Sequence, residues 1–447
     1  MSEKRFGKQE WLVLVLFGLV GQIAWSVENM YFNLFVFETV APSLTAVTLM
    51  VQLSGIAATL TTLVAGTLSD KIGNRRSFIS WGYAIWGITV AMFGFLSPAL
   101  TEKLLGCGLD KAIMITLAAV VVGDCVMTLF GSTANDACFN AWVTDNTESS
   151  YRGKVEGVLS ILPLAAMLIV AGGFGIIVEM IGYSMMFLCL GIVISICGVC
   201  GVFMLRDSSK LQKSGKFRDI LYGFKPCVIK AHSPLYLTLC LVLIYGIACQ
   251  IFMPYLIIYM KTYLGFSVVE YSVVFGAAII LGAAVNLYLT RLSDRKNKNT
   301  MLYFASAIFA AGLFGMYFSK DMDKTMTLIF FGIAGFVMIT GYILISALCG
   351  SLVRDYTPEG VVGKLQGVRM VFSVLIPMIA GPMIGNAINA HMSIPLPDME
   401  SADVMTTQYI PAPEIFLAGA IFSLIMFVLI PVLVKVSKKN KKLGIHS

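Results

Sequence analysis

Long apolar runs separated by short polar stretches dominate this chain. A helix needs about 20 apolar residues to cross the hydrocarbon of a bilayer. Twelve segments meet that length: 11–38, 44–68, 77–98, 112–143, 156–178, 182–205, 234–262, 268–290, 300–318, 325–353, 366–389 and 413–436. The pattern predicts an all-α polytopic membrane protein with twelve transmembrane helices, numbered one to twelve below. Glycine and proline inside the runs fit that reading, because neighbouring helices can re-satisfy freed backbone groups.

The polar interruptions repeat. Leu68-Ser69-Asp70-Lys71, after helix two, recurs as Leu292-Ser293-Asp294-Arg295 after helix eight. Asp145-x-Thr147-x5-Gly153-Lys154-x2-Gly157-Val158, after helix four, recurs as Asp355-x-Thr357-x5-Gly363-Lys364-x2-Gly367-Val368 after helix ten. Matches in the same order at equivalent places predict a duplicated six-helix unit. The expected organisation is an N-terminal bundle 1–205, a polar, basic cytoplasmic linker 206–233, and a C-terminal bundle 234–447. Parallel repeats of this kind place a solute site near the bilayer midplane at the repeat interface.

Composition agrees with lipid as the solvent. Of 447 residues, 58% are hydrophobic and only 13% charged, against about 25% charged in soluble domains. Charge then orients the chain. All but five of its 32 Lys and Arg fall in the N-terminal arm, the alternate loops and the C-terminal tail. Basic residues mark cytoplasmic loops, so both termini are expected inside, in a bacterial-type inner membrane. This accounts for the net charge of +7 without a nucleic-acid partner. The segment Met1–Glu10 leads into an apolar run too long for a signal peptide, and the first helix is expected to be retained.

Candidate chemistry is sparse. Cys197-x-x-Cys200 has redox-pair spacing but lies mid-helix, and reads as packing. There is no HExxH, no GxSxG and no histidine cluster, so neither an enzyme nor a resident metal or cofactor is expected. Ionisable residues within spans are costly and mark function by default. Glu28 lies within helix one, and Asp124 and Asp136 within helix four. Asp124, Thr128, Ser132 and Asn135 share one helix face. Gln22, Ser26, Asn29 and Asn33 form a second polar stripe, with Trp25 beside it. Trp25, Tyr31, Phe32 and Tyr255 could stack on sugar faces. Trp142 reads as an interfacial anchor. The second half offers Gln250 and Tyr255 but no acid on helix seven.

The loop Gly66-x3-Asp70-Lys71-x-Gly73-x-Arg75-Arg76 resembles the signature loop of the major facilitator superfamily. The resemblance implies that Gly66, Asp70, Lys71, Arg75 and Arg76 form a conformational latch, with Asp294 and Arg295 in the second copy. Gly66 is expected to allow close helix approach, Asp70 to cap a helix, and the second latch, lacking the glycine of the first, to be looser. The resemblance also implies that the first and fourth helices of each half line a cavity. Buried acids without membrane histidine resemble the glycoside–pentoside–hexuronide:cation symporters and sucrose-type carriers, although helix two lacks the acid those carriers use.

The expected function is therefore secondary active transport of a small neutral polar solute, a sugar or glycoside, by cation-coupled symport in a monomer. The coupling cation, H⁺ or Na⁺, is assigned to Asp124, Glu28 and Asp136. Substrate contacts are assigned to Gln22, Trp25, Asn29, Asn33, Asn135, Gln250 and Tyr255. A drug or metabolite exporter of the same superfamily is the alternative. Exporters carry a glycine-proline motif on helix five, where this chain reads Ala171-Gly172-Gly173-Phe174-Gly175. Its Gly381-Pro382-x2-Gly385 lies instead on helix eleven and reads as a kink and close-packing device.

Overall fold

The computed structural model describes residues 7–147, 152–208, 217–295, 298–357, 362–395 and 409–442. Within them eleven helical stretches are long and apolar enough to span a membrane. Helices one to four are Lys8–Val40, Leu44–Ile72, Arg75–Phe95 and Leu109–Asn146. The next stretch, Gly157–Met204, runs 48 residues. As one rod it would reach about 72 Å, far beyond a hydrocarbon core of about 30 Å. It breaks at Gly182, whose φ is 75°, so it comprises helices five and six. Helices seven to twelve follow as Ser233–Thr262, Val268–Leu289, Lys298–Phe318, Lys324–Tyr356, Leu365–Met392 and Glu414–Lys439. The described residues thus give twelve crossings and no strand, beyond one isolated bridge between Pro395 and Tyr409.

The chain divides into two compact units, Met1–Phe217 and Arg218–Ser447. The second unit takes in part of the expected linker. Phe217–Phe224 and Pro226–Ala231 are helical. Val228 packs with Leu235, Tyr236, Leu239, Val353, Leu365 and Val368, and the Tyr236 hydroxyl donates to the Gly223 carbonyl. Apolar residues within that otherwise basic connection supply the reason.

In the first unit, helices three and six come into backbone contact. A Cβ on Gly87 would strike the Gly191 carbonyl and Ser195, and one on Gly191 would strike Gly87 and Ala91. Without a hydrophobic force between helices in lipid, such close van der Waals contact carries association. Gly87→Leu is expected to destabilise the unit by about 2–3 kcal/mol through overpacking, read as a lower thermal midpoint in detergent. An unchanged midpoint would show that the two helices can part without cost. In the second unit a Cβ on Gly381 would meet Gln250, and one on Gly385 would meet Ile251 and Tyr255. The glycine-proline motif on helix eleven thus gives helix seven close access.

Several helices contain π-helical turns: Glu28–Phe32 and Val36–Val40 in helix one, Ser132–Phe139 in helix four, Val170–Phe174 in helix five and Val371–Leu375 in helix eleven. Such bulges recur at functional sites because the extra residue re-aims the side chains after it. Two of them fall beside the buried acids.

Candidate functional site

Helices one and four of the first unit bring the predicted acids together. Glu28 opens the first bulge of helix one and is 7% exposed; Asp124, on helix four, is 1% exposed. Thr128, one turn after Asp124, donates its hydroxyl to Glu28 Oε1 at 3.1 Å. Glu28 Oε2 and Asp124 Oδ1 are buried with no hydrogen-bond partner. Asp124 and Asp136 both lie within electrostatic reach of Glu28. The only basic residues on these two helices are Lys8 and Lys111, each in the first turn of its helix. A buried carboxylate lacking a cationic partner is expensive, and a proton or a bound cation would lower that cost.

Asp136 is set apart. It is half-buried in the helix-four bulge, and Asn135 Nδ2 donates to it at 3.4 Å. Ser132 and Trp25 also approach its carboxylate. It therefore has donors near it that Asp124 lacks.

The expected substrate contacts divide into two groups. Gln22 and Trp25 are half-buried and Asn29 is exposed. The Asn29 amide donates to the Trp25 carbonyl at 2.7 Å, and that of Asn33 to the Asn29 carbonyl at 3.0 Å. Both amides thus serve the helix backbone around the bulge, and Asn33 is 1% exposed. Asn135 Oδ1 lies 2.9 Å from the Tyr83 hydroxyl, which also lies 2.7 Å from the Phe17 carbonyl. Asn135 is thereby engaged between helices three and four.

In the second unit, Gln250 is half-buried and packs on helix eleven. Tyr255 is fully buried, and its hydroxyl donates to the Pro382 carbonyl at 2.9 Å. Its ring is part of the core rather than a stacking platform. Tyr31 and Phe32 are also core residues, 0% and 1% exposed, with Phe32 between Phe93 and Phe187.

Sequence reading missed helix three. Trp86 lies 5.1 Å from Trp25 and 5.5 Å from Tyr83, ring centre to ring centre. Its indole edge covers Gly131. The Trp86 indole nitrogen is buried without a partner, while the Trp25 indole nitrogen and the Ser132 hydroxyl are buried near the Asp136 carboxylate. Trp25 and Ser132 lie on the two helices that carry the acids, and Trp86 packs against Trp25 from helix three. No carboxylate, basic or amide side chain marks the face of Trp86 within the membrane run of helix three.

The signature loop resolves into a hub built on Arg75. Its guanidinium pairs with Asp70, donates to Ser69, and reaches Asp145 at 3.2 Å. The Arg75 side chain is 6% exposed. Gly73 closes helix two in the left-handed conformation, φ 71°, which favours a residue without Cβ. Asn74 caps helix three by accepting from the Ser77 N–H at 2.9 Å.

Three expectations need correction. Asp70 caps no helix: it lies inside helix two and pairs with Arg75. The carboxylate at the helix-three N-terminus is Asp207, which accepts from the Arg75 and Arg76 N–H groups at 3.0 and 2.9 Å. Gly66 is not forced by close approach, since a Cβ there would sit 3.9 Å from Ala137. Trp142 is no interfacial anchor: it is 1% exposed and donates to the Arg206 carbonyl at 2.8 Å. Arg76 similarly reaches the Val202 carbonyl, so the end of helix six is tied into the hub. Lys71 is exposed.

In the second copy, the side chains of Asp294 and Arg295 lie outside the described residues. The repeat of Asp145, Asp355, pairs instead with Lys298 at 2.6 Å. Lys298 also donates to Ser351 at 2.8 Å. This pair is 35% and 48% exposed. Among the described residues it is one ion pair, where the first copy has two around a buried guanidinium.

The fold is shared with solved transporters. The chain is similar to a mutant form of the nucleoside transporter NupG, with 13% identity over 95% of this chain and 98% of that one, at a TM-score of 0.65. It is similar to a bacterial homolog of the human lysosomal transporter Spinster, inward-facing and occupied, with 14% identity, 97% and 98% coverage and a TM-score of 0.66. A bacterial homologue of the iron transporter ferroportin, outward-facing with soaked iron, matches with 15% identity, 95% and 98% coverage and a TM-score of 0.61. No curated protein sequence matches the chain. These identities speak for the fold alone. The sequence model of the Major Facilitator Superfamily, however, matches residues 14–382, a stretch that includes the Arg75 hub, both acidic helices and most of the second unit. With twelve crossings and a duplicated loop, the chain belongs to the major facilitator superfamily.

Proposed function

We propose that this transporter takes up a small neutral polar solute, a sugar or glycoside, in symport with a proton or another monovalent cation, by alternating access. The observation that carries the reading is the Glu28–Thr128–Asp124 cluster, two buried acids with unpartnered oxygens and no basic residue on either helix beyond Lys8 and Lys111 in their first turns. A site of that composition changes its charge balance when a cation arrives, and so can make solute binding depend on the cation. Among the described residues, no group of three or more His, Cys, Asp or Glu could hold a metal ion, which supports a proton over a divalent cation.

The neutral solute is argued from the same surroundings. Around the acids stand indole N–H groups, hydroxyls and amides and, among the described residues, no guanidinium or ammonium that would hold an anion. A polyhydroxyl compound offers donors to the two carboxyl groups and an apolar ring face to the half-buried Trp25. The cluster also keeps the link to the glycoside–pentoside–hexuronide:cation group, with coupling moved from helices two and four to helices one and four.

Uptake by purified protein in liposomes tests this. Labelled disaccharides are expected to accumulate under an imposed pH gradient, inside alkaline, and to leak back when a protonophore is added. Accumulation under a sodium gradient alone would assign Na⁺ as the coupling ion. Gradient-driven extrusion of cationic drugs without sugar uptake would overturn the proposal in favour of an exporter.

A further inference from the structure

The second unit contains a cleft that the transport reading does not use. It lies between the first turns of helix nine and the last turns of helix twelve, with a volume of about 470 Å³. Helix twelve contributes Pro431, Val434, Lys435 and Lys438. Their spacing of three, four and seven puts all four on one helix face. That face changes from apolar to cationic towards the end of the chain. Helix nine faces it with Asn299, Thr300 and Tyr303.

The lining holds two lysines and no carboxylate. Both lysines are exposed, and neither enters an ion pair among the described residues. In this stretch the basic residues lie just beyond the last apolar turns. The apolar surface continues above them: Val428 and Val432 are 68% and 42% exposed on helix twelve. Polar donors at one end and an open apolar wall at the other match an amphiphile with an anionic head. Basic pockets between transmembrane helices on the cytoplasmic side are suited to such headgroups.

We propose that this cleft binds the phosphate headgroup of an anionic glycerophospholipid, with Lys435 and Lys438 on the phosphate and the acyl chain along Val434 and Pro431. A free phosphate would satisfy the lysines but leave the apolar wall unused. The cleft adjoins the second-copy latch, because Lys298, paired with Asp355, immediately precedes Asn299. The Tyr356 hydroxyl, just after Asp355, lies 2.9 Å from Ser437 on helix twelve. A lipid seated there would therefore brace helices nine, ten and twelve at one end of the unit.

Native mass spectrometry of the full chain, released from micelles doped with phosphatidylglycerol or phosphatidylcholine, tests the site. One phosphatidylglycerol is expected to be retained in preference to phosphatidylcholine. The double variant Lys435→Gln/Lys438→Gln is expected to weaken that retention about tenfold or more. A control double variant of equal charge, Lys230→Gln/Lys439→Gln, changes lysines outside the cleft and is expected to retain the lipid. Equal loss in both double variants would overturn the proposal, since it would reduce the effect to general surface charge. Equal retention of phosphatidylcholine would also overturn it. So would displacement of phosphatidylglycerol by millimolar glycerol phosphate, which would show a site for free phosphate.

Discussion

Asp124→Asn is expected to abolish gradient-driven accumulation while leaving the protein folded and able to exchange solute. A pH gradient of two units is worth about 2.7 kcal/mol per proton, or about hundredfold accumulation at one proton per solute. If Asp124 must bind the proton for the solute to move, the amide removes that coupling and the ratio falls towards one. The change is nearly isosteric. It replaces a buried acid whose Oδ1 has no partner with a neutral group, so no buried charge is left uncompensated. The thermal midpoint should hold or rise. Glu28→Gln should behave alike in transport and cost slightly more stability, because Glu28 accepts the Thr128 hydroxyl. Exchange of labelled for unlabelled solute at equilibrium separates coupling from binding. Full accumulation by Asp124→Asn would reduce the cluster to an interhelical tie.

Loss of the Arg75 guanidinium should lower the stability of the first unit substantially. Arg75→Ala strands the carboxylates of Asp70 and Asp145 and the Ser69 hydroxyl at once. Breaking a buried pair costs about 3–5 kcal/mol. The two acids are 40% and 26% exposed, and solvent reduces that to about 2–3 kcal/mol. The matching change in the second unit, Lys298→Ala, removes a pair exposed on both sides and should cost under about 1 kcal/mol. Unfolding midpoints of the two variants in one detergent provide the comparison. Equal shifts would show that burial of the first hub confers no extra stability. The contrast also gives physical content to the unequal loops: the first copy has a glycine closing helix two and a buried guanidinium, and the second has an exposed ammonium.

Much of this was legible along the chain. The twelve crossings follow from run length, since the bilayer sets a minimum that no soluble helix has to meet. The observed ends moved outward by a few residues in most helices, because polar ends continue the helix past the apolar run. The repeat pointed to Asp145 and Asp355 as equivalent positions. It did not show that each takes the cation at the head of the preceding helix, Arg75 of helix three in one case and Lys298 of helix nine in the other. The acids of helices one and four were visible as rare charges in apolar runs. Their contact was not, because Glu28 and Thr128 are 100 residues apart and no local pattern records that distance.

The sequence by itself determined the solvent, the number of crossings, the duplication and the few residues able to carry charge within the membrane. These are properties of single segments, set by hydropathy and by the cost of burying ions. Only the tertiary structure decided which polar groups are already engaged. Asn135, Tyr255 and Trp142 have the composition of binding or anchoring residues, yet each meets a hydrogen-bond partner on another helix or beyond its end. Glu28 and Asp124 look no different in the chain, but their packing leaves an oxygen on each without a donor. Whether a buried polar atom is engaged depends on which neighbour the fold brings within about 3 Å of it, and that is fixed by helix packing rather than by the residue.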